Sequence, residues 1–258
     1  MALALASMLS VGAVATALAT STKIQAGDLI ITLSGSTSPK KLPKNEYAPI
    51  VTNVSGKIKT SDSTHPSAFR EIVADFDKDV KIDVKGFPVC KASQLEATNT
   101  TAAKRACGKT LLGSGSAHAE IAFPEQSPIK VASPLLIFNG GQKGSKTLLL
   151  IHTFITVPAP TAIVTTVTVQ KKGPGLHMIA KIPVIAGGSG SALDFSFKLG
   201  KKYTYKGEKH SYLEAKCPDG VFKVNIPKVL FKNEAKVEGV APITVLKGAL
   251  AVPCTPKG

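Results

Sequence analysis

The sequence predicts an all-β protein, an antiparallel β-sandwich or jelly roll with one short helical excursion between Cys90 and Cys107. Three observations predict it. Past residue 20 the chain is a succession of short runs rich in Val, Ile, Thr, Phe and Tyr, separated by Gly, Pro, Ser and Asn, which is the pattern of strands and turns. Alternation is explicit in Leu193-Asp194-Phe195-Ser196-Phe197, apolar on one face and polar on the other. Other runs, such as Leu148-Leu149-Leu150-Ile151, are apolar throughout and predict strands buried on both faces.

Taken in order, strands are expected at 28–34, 49–60, 69–76, 80–84, 116–123, 129–138, 147–157 and 162–170. Further strands are expected at 176–184, 192–199, 202–206, 211–217, 221–226, 228–231 and 242–247. The pattern breaks once. Ser93-Gln94-Leu95-Glu96 and Thr100-Thr101-Ala102-Ala103-Lys104-Arg105-Ala106 read as helical, with Gly108 as the stop. Pro158-Ala159-Pro160 and Gly187-Gly188-Ser189-Gly190-Ser191 sit between strong strands and read as turns within one domain. No internal repeat is present, so 20–258 is expected to be a single β-rich domain.

The first nineteen residues carry no charge and are mostly Ala, Leu, Val and Met. They end in Ala17-Leu18-Ala19, a small-x-small pattern suited to a signal peptidase, with polar residues directly after it. This reads as a secretory signal peptide cut after Ala19, although no Lys or Arg precedes the apolar run. A retained membrane anchor is the rival reading. No later segment reaches eighteen uninterrupted apolar residues, so the mature chain is expected to carry no transmembrane segment.

The cysteines support the same compartment. Cys90, Cys107, Cys217 and Cys254 are an even set in a chain that reads as exported, and such sets form disulfides. Locality favours Cys90–Cys107 and Cys217–Cys254 among three pairings. Structural zinc would need cysteines two to four residues apart, and none are so spaced.

Net charge is +15, yet only two of the 32 basic residues, Arg70 and Arg105, are arginines. Arginine forks read phosphates and guanine edges in a bidentate way, whereas lysine is a hydrated point charge. The balance therefore argues against specific nucleic-acid reading. It allows loose attraction to an anionic polymer at the cell surface, or simply a solubilising surface.

Several motifs fail on inspection. Gly140-Gly141-Gln142-Lys143-Gly144-Ser145-Lys146-Thr147 approaches a phosphate-binding loop, but Ser145 stands where Gly is needed and a strand-like run follows. Asp75, Asp77 and Asp79 alternate and form a weak calcium candidate; an EF-hand fails because Val80 and Gly86 occupy its Gly and acid positions. The segment from Lys201 to Tyr212 mixes tyrosines with lysines. Lys202, Lys206, Lys209, His210 and Tyr212 are its candidate binding surface, although strand geometry places Tyr203 and Tyr205 opposite Lys202 and Lys206. The five histidines lack metal-ligand spacing. No Gly-x-Ser-x-Gly elbow is present. Glu208, Glu214 and Asp219 are generic acids, and without Trp the stacking platforms common in sugar-binding clefts would have to come from Tyr or Phe, which weakens a glycan-hydrolase reading. No catalytic residue and no cofactor are assigned.

Three stretches resemble a family of uncharacterised exported proteins from actinobacteria: Gly86-Phe87-Pro88-Val89-Cys90, Leu135-Leu136-Ile137-Phe138-Asn139-Gly140 and His210-Ser211-Tyr212-Leu213-Glu214-Ala215-Lys216-Cys217-Pro218. Ser38-Pro39-Lys40-Lys41-Leu42-Pro43 fits near their mature amino terminus. This chain uses lysine where those proteins use arginine. The resemblance implies export and one domain, and it transfers no activity. The expectation is a non-enzymatic extracellular or envelope protein that binds an anionic polymer through lysines. A glycan-acting hydrolase or lyase on a jelly roll is the alternative.

Overall fold

The structure is a computed structural model that describes residues 21–123, 125–234, 236 and 238–257. The expected leader and its cut after Ala19 lie outside the described residues.

In chain order the strands are β1 (Ser21–Ala26), β2 (Leu29–Ser38), β3 (Lys41–Pro43), β4 (Ala48–Pro49), β5 (Val51–Thr60), β6 (Ala68–Phe76), β7 (Val80–Ile82), β8 (Leu111–Ile121), β9 (Ile129–Lys143) and β10 (Lys146–Ile155). They continue with β11 (Thr161–Lys172), β12 (Gly175–Lys181), β13 (Gly190–Leu199), β14 (Lys202–Tyr205), β15 (Glu208–Ser211), β16 (Leu213–Ala215), β17 (Val221–Lys232), β18 (Ile243–Pro253) and β19 (Thr255–Lys257). One α-helix, α1 (Thr100–Cys107), is present among the described residues.

The chain is all-β, as its strand-and-turn pattern predicts. Twelve strands make one antiparallel sheet in the order β1-β2-β5-β13-β8-β9-β10-β11-β12-β6-β17-β18. The sheet rolls until its ends meet, so the facing layers are opposite walls of one nearly closed barrel. Ile24 of β1 packs so tightly on β18 that a Cβ added at Gly248 would lie 2.4 Å from the Ile24 side chain. No backbone ladder joins β1 to β18 among the described residues.

Alternation decides what fills the interior. Ile31 and Leu33 of β2, Ile58 of β5 and Phe231 of β17 share one core cluster with Phe69 of β6. Leu135 and Ile137 of β9, Val167 and Val169 of β11, Phe222 of β17 and Val252 of β18 share another. Leu42, Ile50, Phe87, Tyr212 and Leu213 belong to that second cluster and close one end of the barrel. They come from the small sheets β4-β16-β7 and β3-β19 and the loops beside them. The Cys217–Cys254 bond ties this plug to the end of β18, and the Thr255 N–H donates to the Lys40 carbonyl at 2.7 Å.

The continuously apolar runs are buried on both faces. While Leu135 and Ile137 point inward, Leu136 and Phe138 point outward and pack with Leu150, Leu95 and Ala103 under the excursion. The Cys90–Cys107 bond closes that excursion at a sequence separation of 17. Asn99 caps α1 by accepting the Ala102 N–H at 2.9 Å. Asn139, fully buried, donates to the Pro88 carbonyl at 2.8 Å and accepts the Gly141 N–H at 3.1 Å. Both cysteine pairs are therefore those that locality favours.

Differences from the expected strands have physical causes. The segments 221–226 and 228–231 are one strand, β17, whose register shifts between Ile226 and Val229 around Pro227, which has no N–H for the ladder. The segment 211–217 breaks at Tyr212, whose ring turns into the plug. Strand β1 is unexpected because Ile24 is its only buried residue.

Candidate functional site

Four neighbouring strands, β2, β5, β13 and β8, put their outward residues in register and build a polar face. One cross-strand row is Ser34, Ser55, Ser196 and Ser116, each directly opposite the next. Two residues along lies a parallel row of Ser36, Asn53, Lys198 and Ser114. On the other side of the serine row lie Thr32, Lys57, Asp194 and His118. Between the first two rows run Gly35, Val54, Phe197 and Gly115, which point to the opposite face. Short side chains on both rows leave a shallow groove of about 500 Å3 over this backbone floor.

Its electrostatics are one-sided. Among the described residues no carboxylate lines the groove, whereas Lys198 does. Lys23, Lys57 and Lys59 flank it on the same face, opposite Thr32, Asp194 and Ile30 respectively. None of these four lysines makes an ion pair among the described residues. The two acids on this face are occupied by imidazoles: His118 Nδ1 is 2.6 Å from Asp194 and His65 Nδ1 is 2.9 Å from Glu120. The Ser116 and Ser196 hydroxyls bond each other at 3.3 Å. No hydrogen bond joins either serine to His118 among the described residues, so no activated nucleophile is assembled.

The groove ends asymmetrically. Toward β1 the serine row continues to Ser21, opposite Ser34. Toward β9 it meets Pro134, and the neighbouring row meets Leu136, which lies under the disulfide-closed excursion.

The residues singled out by sequence fall elsewhere. Asp75, Asp77 and Asp79 diverge, each to its own partners. Asp75 sits opposite His177, pairs with its Nδ1 and takes Lys172 at 2.9 Å. Burial works against its ionised form, but those two partners outweigh it and lower the pKa. Asp77 accepts the Lys223 N–H at 2.7 Å and the Asp79 N–H at 3.0 Å. Asp79 is buried with one carboxylate oxygen free of hydrogen bonds among the described residues, and burial, with the Asp77 charge second, raises its pKa. No group of three metal-ligating residues gathers among the described residues. These acids serve a turn and three ion pairs, Asp75 with His177 and Lys172 and Asp79 with Lys216. A second recess, of about 340 Å3, is lined by Asp77, Asp79 and Asp219 together with Lys78, Lys172 and Lys223, so its charges offset one another.

The candidate surface on β14 and β15 is also split. Tyr205 pairs with Glu208, leaving Lys206 and Gly207 as the hairpin turn at φ 50° and 81°. Lys202, Lys206 and Lys209 are exposed. His210 instead stacks on Tyr203 with ring centroids 5.3 Å apart and bonds Asp83 at 3.0 Å. Tyr212 is fully buried, and burial raises its pKa strongly. Tyr203 donates to the Lys85 carbonyl at 2.9 Å. Burial, then the Asp83 and Glu214 charges, push its pKa up to about 12. The two aromatic members of the proposed surface therefore belong to packing.

Gly140 to Thr147 forms the β9–β10 hairpin, with Lys143 opposite Lys146, and opens no helix. Neither Glu208 nor Glu214 lines either recess. No family model, curated protein or solved structure matches the chain.

Proposed function

We propose that this is an exported, non-enzymatic protein that binds an anionic polymer of the cell surface through the lysine-flanked groove on β2, β5, β13 and β8. One observation carries the reading: Lys198 in the lining, and Lys23, Lys57 and Lys59 beyond the serine row, form no ion pair among the described residues beside a groove lined by hydroxyls and an amide, while histidines engage the acids nearby. Unpaired ammonium groups beside a carboxylate-free recess present a positive potential to a polyanion. Two disulfides support an oxidising compartment, as does the uncharged, mostly apolar composition of residues 1–19. No helix among the described residues is long and apolar enough to cross a membrane.

Polycarboxylate and polyphosphate probes test the reading with the purified protein. Binding that weakens steeply from low to moderate ionic strength is expected, because exposed charges are screened beyond a Debye length. Salt-independent binding, or none, defeats it. The glycan hydrolase reading gains no support from the groove, since Asp194 and Glu120 stand outside its lining and each is bonded to a histidine.

A further inference from the structure

We infer that the occupant of the groove is a linear acidic polysaccharide lying across the strands, its sugar hydroxyls bonded by the serine row and its acid groups held by Lys57 and Lys198. This rests on the polyanion reading and narrows it to one chemical class.

Hydrogen-bond capacity separates one class of polyanion from the others. A lysine surface alone suits any polyanion. A serine hydroxyl both donates and accepts, so it suits partners that do the same. Phosphate chains and ionised polycarboxylates only accept, and the acceptor half of each serine would go unused against them. Sugar hydroxyls use both halves. Ser34 and Ser55 form no side-chain hydrogen bond within the protein among the described residues, so their hydroxyls are available.

Direction and length follow from the register. The serine row crosses four strands that line the groove, from Ser34 to Ser116, a span of about 14 Å at roughly 4.8 Å per strand. That accommodates a few sugar rings end to end, one for each strand spacing. Ser21 extends the row by one strand, while Pro134 ends it at the excursion. The polymer thus runs off over β1 and stops or turns at β9. Lys198 lies on one side of the serine row and Lys57 on the other, so acid groups on either edge of the chain meet an ammonium. Aromatic stacking has no part in this face, because Phe195 and Phe197 pack into the interior core.

The test compares two probes of similar charge, polygalacturonate and polyphosphate, on the purified protein at low salt. Ser55→Val with Ser196→Val removes two hydroxyls. It is expected to weaken polygalacturonate binding roughly tenfold, the effect of two ordinary hydrogen bonds, and to leave polyphosphate within about twofold. Ser55→Ala with Ser196→Ala repeats the deletion without added bulk, in case the valines disturb the sheet. Lys57→Gln with Lys198→Gln is expected to weaken both probes. If the serine variants bind both probes as the parent does, or lose both equally, the polysaccharide inference falls and the polyanion reading stands. If the parent binds neither probe, both fall.

Discussion

The ring of Phe195 lies directly over the backbone of Gly56, so close that a Cβ at that position would stand 2.4 Å from two ring atoms. The glycine lets β13 place a large aromatic group on the inner face while Ser55 and Lys57 keep their outward positions on β5. Gly56→Ala forces the ring or the strand to move. A loss of about 1–3 kcal/mol is expected, as for overpacking elsewhere. Urea titration of the variant against the parent measures it.

Removing the Cys90–Cys107 bond with Cys90→Ser and Cys107→Ser should cost about 3 kcal/mol by loop-closure entropy. The damage is local in kind. Freed, the excursion exposes Leu136, Phe138 and Leu150, so increased binding of a hydrophobic dye should accompany the lower midpoint. An unchanged dye signal would show that the excursion stays docked by packing alone.

His152 is fully buried, with Nε2 2.9 Å from the Thr98 carbonyl and Nδ1 without a partner among the described residues. Burial lowers its pKa from 6.5 and outweighs the Thr98 carbonyl, which raises it. A depressed imidazole pKa means the unfolded chain binds the proton first. Its contribution to stability is thus complete above about 6.5 and declines as the pH falls toward the folded-state value. His152→Gln keeps a donor for Thr98 without titrating. Its urea midpoint should vary less than the parent's below pH 6.5. Parallel curves would contradict this assignment.

Asp79 has the opposite sign. Its raised pKa, caused by burial and then by Asp77, means that ionisation penalises the fold. Stability from this residue is full below the unfolded value near 3.8 and is lost as the pH rises through the folded one. Asp79→Asn should therefore raise Tm at neutral pH, with the gain shrinking toward pH 4. Lys216, at 3.8 Å from Asp79 Oδ1, is too far to offset the burial. A Tm that falls at pH 7 would mean that this ion pair dominates.

The two lysine surfaces can be separated directly. Lys57→Glu with Lys198→Glu reverses charge at the groove and should weaken polyanion binding by roughly tenfold or more. The same reversal at Lys202, Lys206 and Lys209 on the β14–β15 hairpin should leave most of it. Equal losses would move the binding site, or spread it over the whole surface.

Much of the fold was legible in the sequence because it depends on local pattern. The alternation at Leu193 to Phe197 predicts β13 and its inward phenylalanines, and the apolar runs in β9 and β10 predict strands covered on both sides. Closure of the barrel was not legible, since the contact between Ile24 and Gly248 joins segments more than two hundred residues apart. The groove was hidden for a related reason. Ser34, Ser55, Ser116 and Ser196 each look like a solvent-facing residue in its own strand; only the pairing register makes them a row. Conversely, the Tyr203-to-Tyr212 segment looked like a surface because it is dense in sequence. Its aromatic residues are spent on Phe87, on Asp83 and on the plug. Composition marks where charge is abundant, and register decides where it is free.

The meeting of β1 and β18 has a mechanical consequence. Every other neighbouring pair in the large sheet is stitched by backbone hydrogen bonds, whereas this junction is held by side chains such as Ile24 against Gly248. Each edge hides the other from foreign strands. The same junction is the weakest line in the wall, and amide exchange should begin there, with the sheet peeling open from β1 before any interior strand lets go.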